Sequence, residues 1–440
     1  MKKNVEDIYT LSSMQQGMLF HTLYDPQQGV YFQQLSCKLH GNLNVLAFKQ
    51  AWQQVIARHP ALRTTFLWDG LDEPLQVVHK RVNLPWVEDD WQHLSPKEQQ
   101  EHLEALLQTE RERGFELNRV PLMRCTLIQI QEGSYYFVWS HHHLLLDGWC
   151  CSIIFKEVFA FYESFKQGEY LYLETPRPYR DYIAWLQQQD LTKARAYWQQ
   201  ALQGFTAPTP LIVNKDGVKG IHQQQAYDEE SLHFSTAATA TLQSFVKEHH
   251  ITLNTLVQGA WALLLSRYSG ESDVVFGFTV SGRPPELMGM ESMVGLFINT
   301  LPVRCQVRAE TELLPWLHQL QVQQVEQQQY SYSPLTEIQG WSDVPRELPL
   351  FESIMVFENY PVDASLQERN SIEISDIRTF ERSSYPLTVI VGSDLDLVVR
   401  IGYDSSRFAQ TVIRRMLGHF QTMLMGIVAN PEQRLLELPK

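Results

Sequence analysis

Cysteine, basic charge and long apolar runs are all scarce in this 440-residue chain. The five cysteines, Cys37, Cys125, Cys150, Cys151 and Cys305, form an odd set with no Cys-x-x-Cys spacing, which argues against a disulfide framework and a structural zinc site. Such usage fits a reducing compartment, so a cytoplasmic location is expected. Lys and Arg number 36 against 50 Asp and Glu, a formal charge of −14. Phosphate backbones are bound by concentrated basic surface, so no nucleic-acid partner is expected. The most apolar stretch, residues 256–265, is too short to cross a bilayer and contains Gln258, and residues 1–7 lack the apolar region of a signal peptide; no membrane partner is expected. Also missing are a Gly-x-Ser-x-Gly elbow, a P-loop, a Gly-x-Gly-x-x-Gly fingerprint and a His-Glu-x-x-His pair, and with them any recognisable ATP site, nicotinamide site or activated serine.

What is present is an ordinary globular composition, 44% hydrophobic and 20% charged, in a chain long enough for two lobes with separate cores. Helical and strand-like segments alternate in both halves, which implies sheets covered by helices. Val45, Phe48, Trp52, Val55 and Ile56 follow helical spacing behind a cap at Asn44, and residues 62–68 read as a strand. Residues 96–113 and 150–166 read as helices, 122–130 and 134–140 as strands. Thr175-Pro176-Arg177-Pro178 is a breaker cluster, taken as the boundary between lobes at 1–176 and 177–440. Beyond it, residues 274–280, 300–307, 352–358, 387–391 and 395–403 read as strands and 311–329 and 408–427 as helices, with irregular loops at 204–220 and 361–372.

The densest chemical signal is His142-His143-Leu144-Leu145-Leu146-Asp147-Gly148, directly behind the strand run Tyr135-Tyr136-Phe137-Val138-Trp139. Imidazole titrates near neutrality and can take a proton from a nucleophile and return it within one cycle. A bare His-His pair reads equally as a satisfied polar cluster or half of a metal site. His141 and His143 with Asp147 are a poor ligand set, and no metal is expected. Asp147 and Gly148 shift the balance towards a shaped loop, because a carboxylate fixes its geometry and glycine permits a tight turn. With no covalent nucleophile in view, the chemistry that fits is transfer of an already activated acyl group to an amine, such as thioester aminolysis. The imidazole would accept the amine proton and backbone N–H groups near Gly148 would support the oxyanion.

These residues resemble the condensation domains of nonribosomal peptide synthetases, in six ordered blocks. Leu11-Ser12-Ser13-Met14-Gln15-Gln16-Gly17-Met18-Leu19-Phe20-His21 is similar to the opening motif, with Ser13 in place of a frequent proline, and Arg58-His59-Pro60-Ala61-Leu62-Arg63-Thr64-Thr65-Phe66 to the second. Residues 142–148 match the active-site signature. Tyr179-Arg180-Asp181-Tyr182-Ile183-Ala184-Trp185, Val280-Ser281-Gly282-Arg283-Pro284 and Val294-Gly295-Leu296-Phe297-Ile298-Asn299-Thr300-Leu301-Pro302-Val303-Arg304 resemble later blocks.

The resemblance implies an α/β (α+β) fold of two chloramphenicol-acetyltransferase-like lobes in a V-shaped pseudo-dimer with a central tunnel, the second lobe contributing crossing segments. It gives the main catalytic role to His143 and a supporting one to His142. Asp147 becomes a scaffold residue paired with Arg283, Gly148 permits close backbone approach, and Trp149 packs beneath the loop. Ser281 and Asn299 are supporting or substrate-binding residues, Asn299 by hydrogen bonds within the lobe junction. Arg58 and Arg63 stay open between surface ion pairs and a functional role.

Implied partners are an upstream donor and a downstream acceptor carrier domain, each presenting a phosphopantetheine arm, and a neighbouring adenylation domain towards which residues 435–440 lead. No cofactor is bound by the domain itself. Residues 15–21, 146–150 and Val356-Phe357-Glu358-Asn359-Tyr360-Pro361 look like domains that take a D-configured donor and an L-configured acceptor. An epimerisation domain and a non-catalytic recruitment module of the same superfamily are the alternatives. Heterocyclisation is not expected, since that subfamily carries aspartates in place of the two histidines.

Overall fold

The computed structural model describes residues 4–211, 227–358, 371–393 and 396–439, so most of the expected loops at 204–220 and 361–372 lies outside the described residues, as do Asn359, Tyr360 and Pro361 of the subtype signature. Two compact units are assembled from non-contiguous segments: Met1–Gln188, Arg283–Phe297 and Tyr360–Ser384 form one, and Gln189–Gly282, Ile298–Asn359 and Tyr385–Lys440 the other. The first unit thus runs past the expected boundary at 176/177. Its helix Tyr179–Gln187 buries Tyr179 and Tyr182, and the Tyr179 hydroxyl donates to the Leu296 carbonyl at 2.6 Å. The prolines at 176 and 178 break the chain inside a unit rather than at its end.

The first unit is built on a five-stranded sheet in the order Glu373–Glu381, Phe32–His40, Ser134–His142, Met123–Gln131, Trp86–Asp90, antiparallel except for the last pair. Its central strand is buried at every position but Tyr135, as expected for a strand covered on both faces. Asn44 caps the helix Val45–Arg58, its side chain accepting from the Ala47 N–H at 3.0 Å, and the helix sends Phe48, Trp52, Val55 and Ile56 inward. Trp52 lies 5.1 Å from the Trp139 ring and Phe48 5.2 Å from Phe137. Phe155, on the helix Gly148–Gln167, meets Trp52 and Trp139 edge-on. Each such buried aromatic contributes roughly 1.5–3 kcal/mol, so the strand leading to the histidines rests on a rigid floor.

The expected strand at 62–68 is a 3₁₀ turn, Pro60–Arg63, followed by Thr64–Leu67. Arg63 turns inward there, donating to Ile56 O, Glu6 and His79 O. Arg58 and His59 both bind Glu157, at 3.0 and 2.6 Å. Both arginines therefore brace the scaffold. All five cysteines are free.

The second unit carries a six-stranded mixed sheet in the order Asn299–Gln306, Asp273–Val280, Ser353–Glu358, Leu387–Ser393, Leu397–Asp404, Tyr227–His233, with Ser353–Glu358 parallel to both neighbours. The helix Leu253–Ser269 is buried without interruption from Thr255 to Leu265, the mark of a helix surrounded by packing rather than lying on a surface. Gly259 gives it that closeness, since a Cβ there would stand 2.6 Å from Leu317. The expected mixture of sheets and covering helices is the fold observed.

Candidate active site

The chemistry-bearing loop begins where the central strand runs out of partners. The His142 N–H donates to Leu122 O at 3.0 Å and the His143 N–H to Tyr31 O at 2.8 Å, after which Leu145 N closes a turn on His142 O at 3.1 Å. Gly148 opens the next helix with Asp147 in the cap position, yet the Asp147 carboxylate makes no cap bond. It is engaged elsewhere: Oδ2 accepts from the Phe297 N–H at 2.9 Å, Oδ1 from Cys150 Sγ at 3.4 Å, and the Asp147 N–H donates to Gly295 O at 3.2 Å.

The expected Asp147–Arg283 pair is present at 3.8 Å between Oδ1 and Nη2, with the side chains 1% and 9% exposed. Arg283 itself lies 4.1 Å from the Phe297 ring and donates to the carbonyls of Met290 and Met293. A buried carboxylate is tolerated only when its charge is met by hydrogen bonds and a counter-ion. Asp147 has both, and through them it stitches the 143–147 loop to residues 290–297. Gln15 of the opening block holds the same loop from another side, its Nε2 donating to Leu144 O at 3.3 Å.

Three adjacent histidines are put to different uses. His141 packs 4.4 Å from Trp139, and burial, with His143 beside it, pushes its pKa down to about 3. His142 accepts the Leu144 N–H on Nδ1 at 3.1 Å. Thr22 spends its hydroxyl hydrogen on Met18 O, so His142 Nε2 donates to Thr22 Oγ1 at 3.4 Å. Burial and the flanking histidines push this ring down to about 3 as well, which favours its neutral form.

His143 differs. Its Nδ1 is 2.9 Å from Leu146 O; a carbonyl can only accept, so Nδ1 carries the hydrogen and Nε2 is left to exchange a proton. Burial pulls its pKa down, but the Glu381 carboxylate 3.3 Å from Nε2, the Leu146 carbonyl and the Asp147 charge outweigh it and raise it above the ordinary 6.5. Of the three, His143 is the ring whose surroundings favour its protonated form.

The structure brings His142, His143, Asp147, Gly148 and Arg283 together in the first unit. Trp149 stands close by, its ring 5.8 Å from the Arg283 guanidinium, but it is 37% exposed rather than packed beneath the loop, because it leaves the first helical turn on the open side. Ser281 and Asn299 belong to the second unit. Ser281 is exposed just beyond the strand Asp273–Val280. Asn299 Nδ2 donates to Ser331 O at 2.8 Å and Ser333 O at 2.7 Å, which fixes a turn of that unit.

Sequence reasoning missed Glu381, Tyr31, and the partners that Gly295 and Cys150 offer Asp147. Glu381 sits on a mostly exposed edge strand whose register slips between Ser375 and Arg378, so no periodicity advertises it. Gly295 did carry a signal, since it lies inside a recognised block. A Cβ there would stand 2.2 Å from the Tyr179 ring. Gly295→Ala is expected to cost about 1–3 kcal/mol of stability by overpacking, read as a lowered denaturation midpoint, whereas Gly340→Ala, at a site with more room, serves as the near-neutral control.

Among the described residues no three His, Cys, Asp or Glu side chains gather as a metal site, and no helix is long and apolar enough to cross a membrane. The Condensation domain family model matches residues 5–439. Over 434 residues the chain is 46% identical to one of the linear gramicidin synthase subunits of Brevibacillus parabrevis, covering 98% of this chain and 6% of that protein. It spans less than a tenth of the length of the first relatives it matches. Its fold is similar to the starter condensation domain of rhizomide synthetase, with a TM-score of 0.82 at 17% identity over 98% of this chain and 96% of that one. It is similar also to the X-domain from teicoplanin biosynthesis, with a TM-score of 0.81 at 21% identity over 98% and 97%. With the signature at 142–148 seated at the end of a central strand and the family match running from one end to the other, the chain belongs to the condensation-domain family of nonribosomal peptide synthetases.

Proposed function

We propose that this domain joins two carrier-tethered substrates by amide formation, the amine of a downstream aminoacyl thioester attacking the carbonyl of an upstream aminoacyl or peptidyl thioester. The observation that carries this reading is the His143 tautomer: with the hydrogen on Nδ1 held by Leu146 O, Nε2 is the atom offered to an amine. As the C–N bond forms, the amine proton passes to Nε2. As the C–S bond breaks, that proton goes to the departing thiolate, and His143 returns to its starting state. The first-turn N–H groups of the helix beginning at Gly148, where the Asp147 side chain gives no cap, supply partial positive charge for the oxyanion. His142, neutral and hydrogen-bonded on both nitrogens, shapes the loop. Asp147 and Arg283 hold the loop against residues 290–297.

The thioester carries the activation, so the domain needs no nucleotide, metal or bound cofactor of its own; phosphopantetheine arms of donor and acceptor carrier domains deliver the substrates, and an adenylation domain of the same cytoplasmic assembly loads the acceptor. The D-configured donor is read from the opening block, whose Gln15 reaches the catalytic loop.

The test is a transfer assay with an upstream carrier charged with a D- or L-ending aminoacyl group and a downstream carrier charged with an L-amino acid. Dipeptide formation that depends on the domain and prefers the D-donor is expected. Equal product with and without the domain would reject amide formation. Inversion of a carrier-bound residue without transfer would point to epimerisation, and equal use of both donors would remove the stereochemical assignment alone.

A further inference from the structure

The nitrogen of His143 that must meet the amine already faces a carboxylate. Glu381 stands at the end of the strand Glu373–Glu381 with Oε1 3.3 Å from Nε2, while Oε2 accepts from Gln33 Nε2 at 2.9 Å, its neighbour in register. Tyr31 ties the two partners together: its carbonyl accepts the His143 N–H and its own N–H donates to Arg382 O, each at 2.8 Å, and its hydroxyl meets Ser384 Oγ at 2.9 Å. Tyr31 does so in the left-handed region, at φ +63°, a conformation strained for an aromatic residue and kept only where the surroundings enforce it. The pair is lopsided in exposure, with the histidine side chain 5% and the carboxylate 38% accessible. An arriving cation therefore meets Glu381 first. A half-exposed pair of this kind adds little stability, so fold maintenance does not account for so much framing.

Resting on the amide-forming reading, we propose that Glu381 receives the α-ammonium group of the acceptor and delivers it to His143 Nε2, which makes it a residue that selects amine-bearing acceptors. In the resting site the Nε2 proton is shared with Glu381. The incoming ammonium replaces the imidazolium as the counter-ion of the carboxylate, and the displaced Nε2 proton leaves to solvent. The ammonium then gives one proton to the freed Nε2, which passes it to solvent, and the amine lone pair attacks the thioester carbonyl; the second amine proton goes to Nε2 as the C–N bond forms and on to the thiolate as the C–S bond breaks. The other groups that face His143 are consistent with this exchange: His141 and His142 stay neutral, Asp147 is committed to Phe297 and Arg283, and the Tyr31 ring lies 6.3 Å away edge-on.

The proposal is tested by binding, apart from turnover. The His143 ring signals are followed by NMR at pH 7 while the glycyl thioester of N-acetylcysteamine, or its desamino counterpart the acetyl thioester, is added to the domain and to Glu381→Gln. Gln keeps the shape and an acceptor for Gln33. The wild type is expected to bind the glycyl compound about tenfold more tightly than the acetyl one, as a charge-assisted hydrogen bond implies, and Glu381→Gln is expected to lose that preference. Equal shifts with the acetyl compound in both proteins show that the variant is folded. The His143 titration should also move down in Glu381→Gln, since the carboxylate that raises it is gone, carrying the acid limb of kcat/KM for the acceptor with it. A wild-type domain that shows no amine-dependent shift, or a variant that keeps the preference, overturns the assignment. Failure of peptide transfer with the amine preference intact would instead reject the amide-forming reading.

Discussion

Replacing His143 by alanine is expected to slow transfer by about 10²- to 10⁴-fold, the usual range for loss of a positioned general base, while carrier binding and the melting temperature change little. The expectation rests on what the side chain does and does not support. Its backbone N–H, which joins the loop to Tyr31, survives the substitution, and so do the Leu144 and Asp147 contacts that pin the loop on either side. What disappears is the Nε2 atom and the bond from Nδ1 to Leu146 O. Single-turnover rates with pre-charged carriers separate this loss from weaker docking. A variant within threefold of the wild-type rate would remove His143 from the mechanism. His142→Ala makes the contrast: it deletes an acceptor of the Leu144 N–H and a donor to Thr22, so its loss should be read in stability.

Asp147→Ala should be the most damaging single change to the scaffold, at about 3–5 kcal/mol, the cost of breaking a buried charge pair and leaving its partners unmatched. The variant would strand the Phe297 N–H and leave Arg283 without its carboxylate, both in buried surroundings. Asp147→Asn keeps an oxygen for Phe297 and loses only the charge, so a smaller cost is expected. Denaturant unfolding of both variants measures the difference. If alanine and asparagine prove equally benign, the joint between residues 143–147 and 290–297 is not held by this side chain.

Much of this architecture was legible where local physics decides it. Helix Pro96–Arg113 has the bounds expected for residues 96–113, and Val45–Arg58 starts where Asn44 offers an oxygen to Ala47. The strand ending in His142 announced itself by aromatic content, and the same legibility extended to the site, since His143, Asp147 and Arg283 do converge. What stayed hidden depends on long-range pairing. The strand Glu373–Glu381 is polar and edge-lying, and nothing near it in sequence indicates that it pairs with Phe32–His40 and thereby sets a carboxylate against an imidazole. Trp149 misled because a large aromatic is usually core, whereas here it flanks a guanidinium at the surface. Asn299 has a structural use, its amide securing the turn at Ser331 and Ser333, and its partners lie too far along the chain for the sequence to name.

Because the outermost strand of the first sheet arrives only at residues 373–381, a ribosome must release everything between residues 40 and 373 before that sheet is finished. Until then the flank of Phe32–His40 stands open to stray strand pairing, and the imidazole lacks its carboxylate. A truncation placed near the prolines at 176 and 178 would leave that flank without its partner strand, and an aggregating fragment is expected.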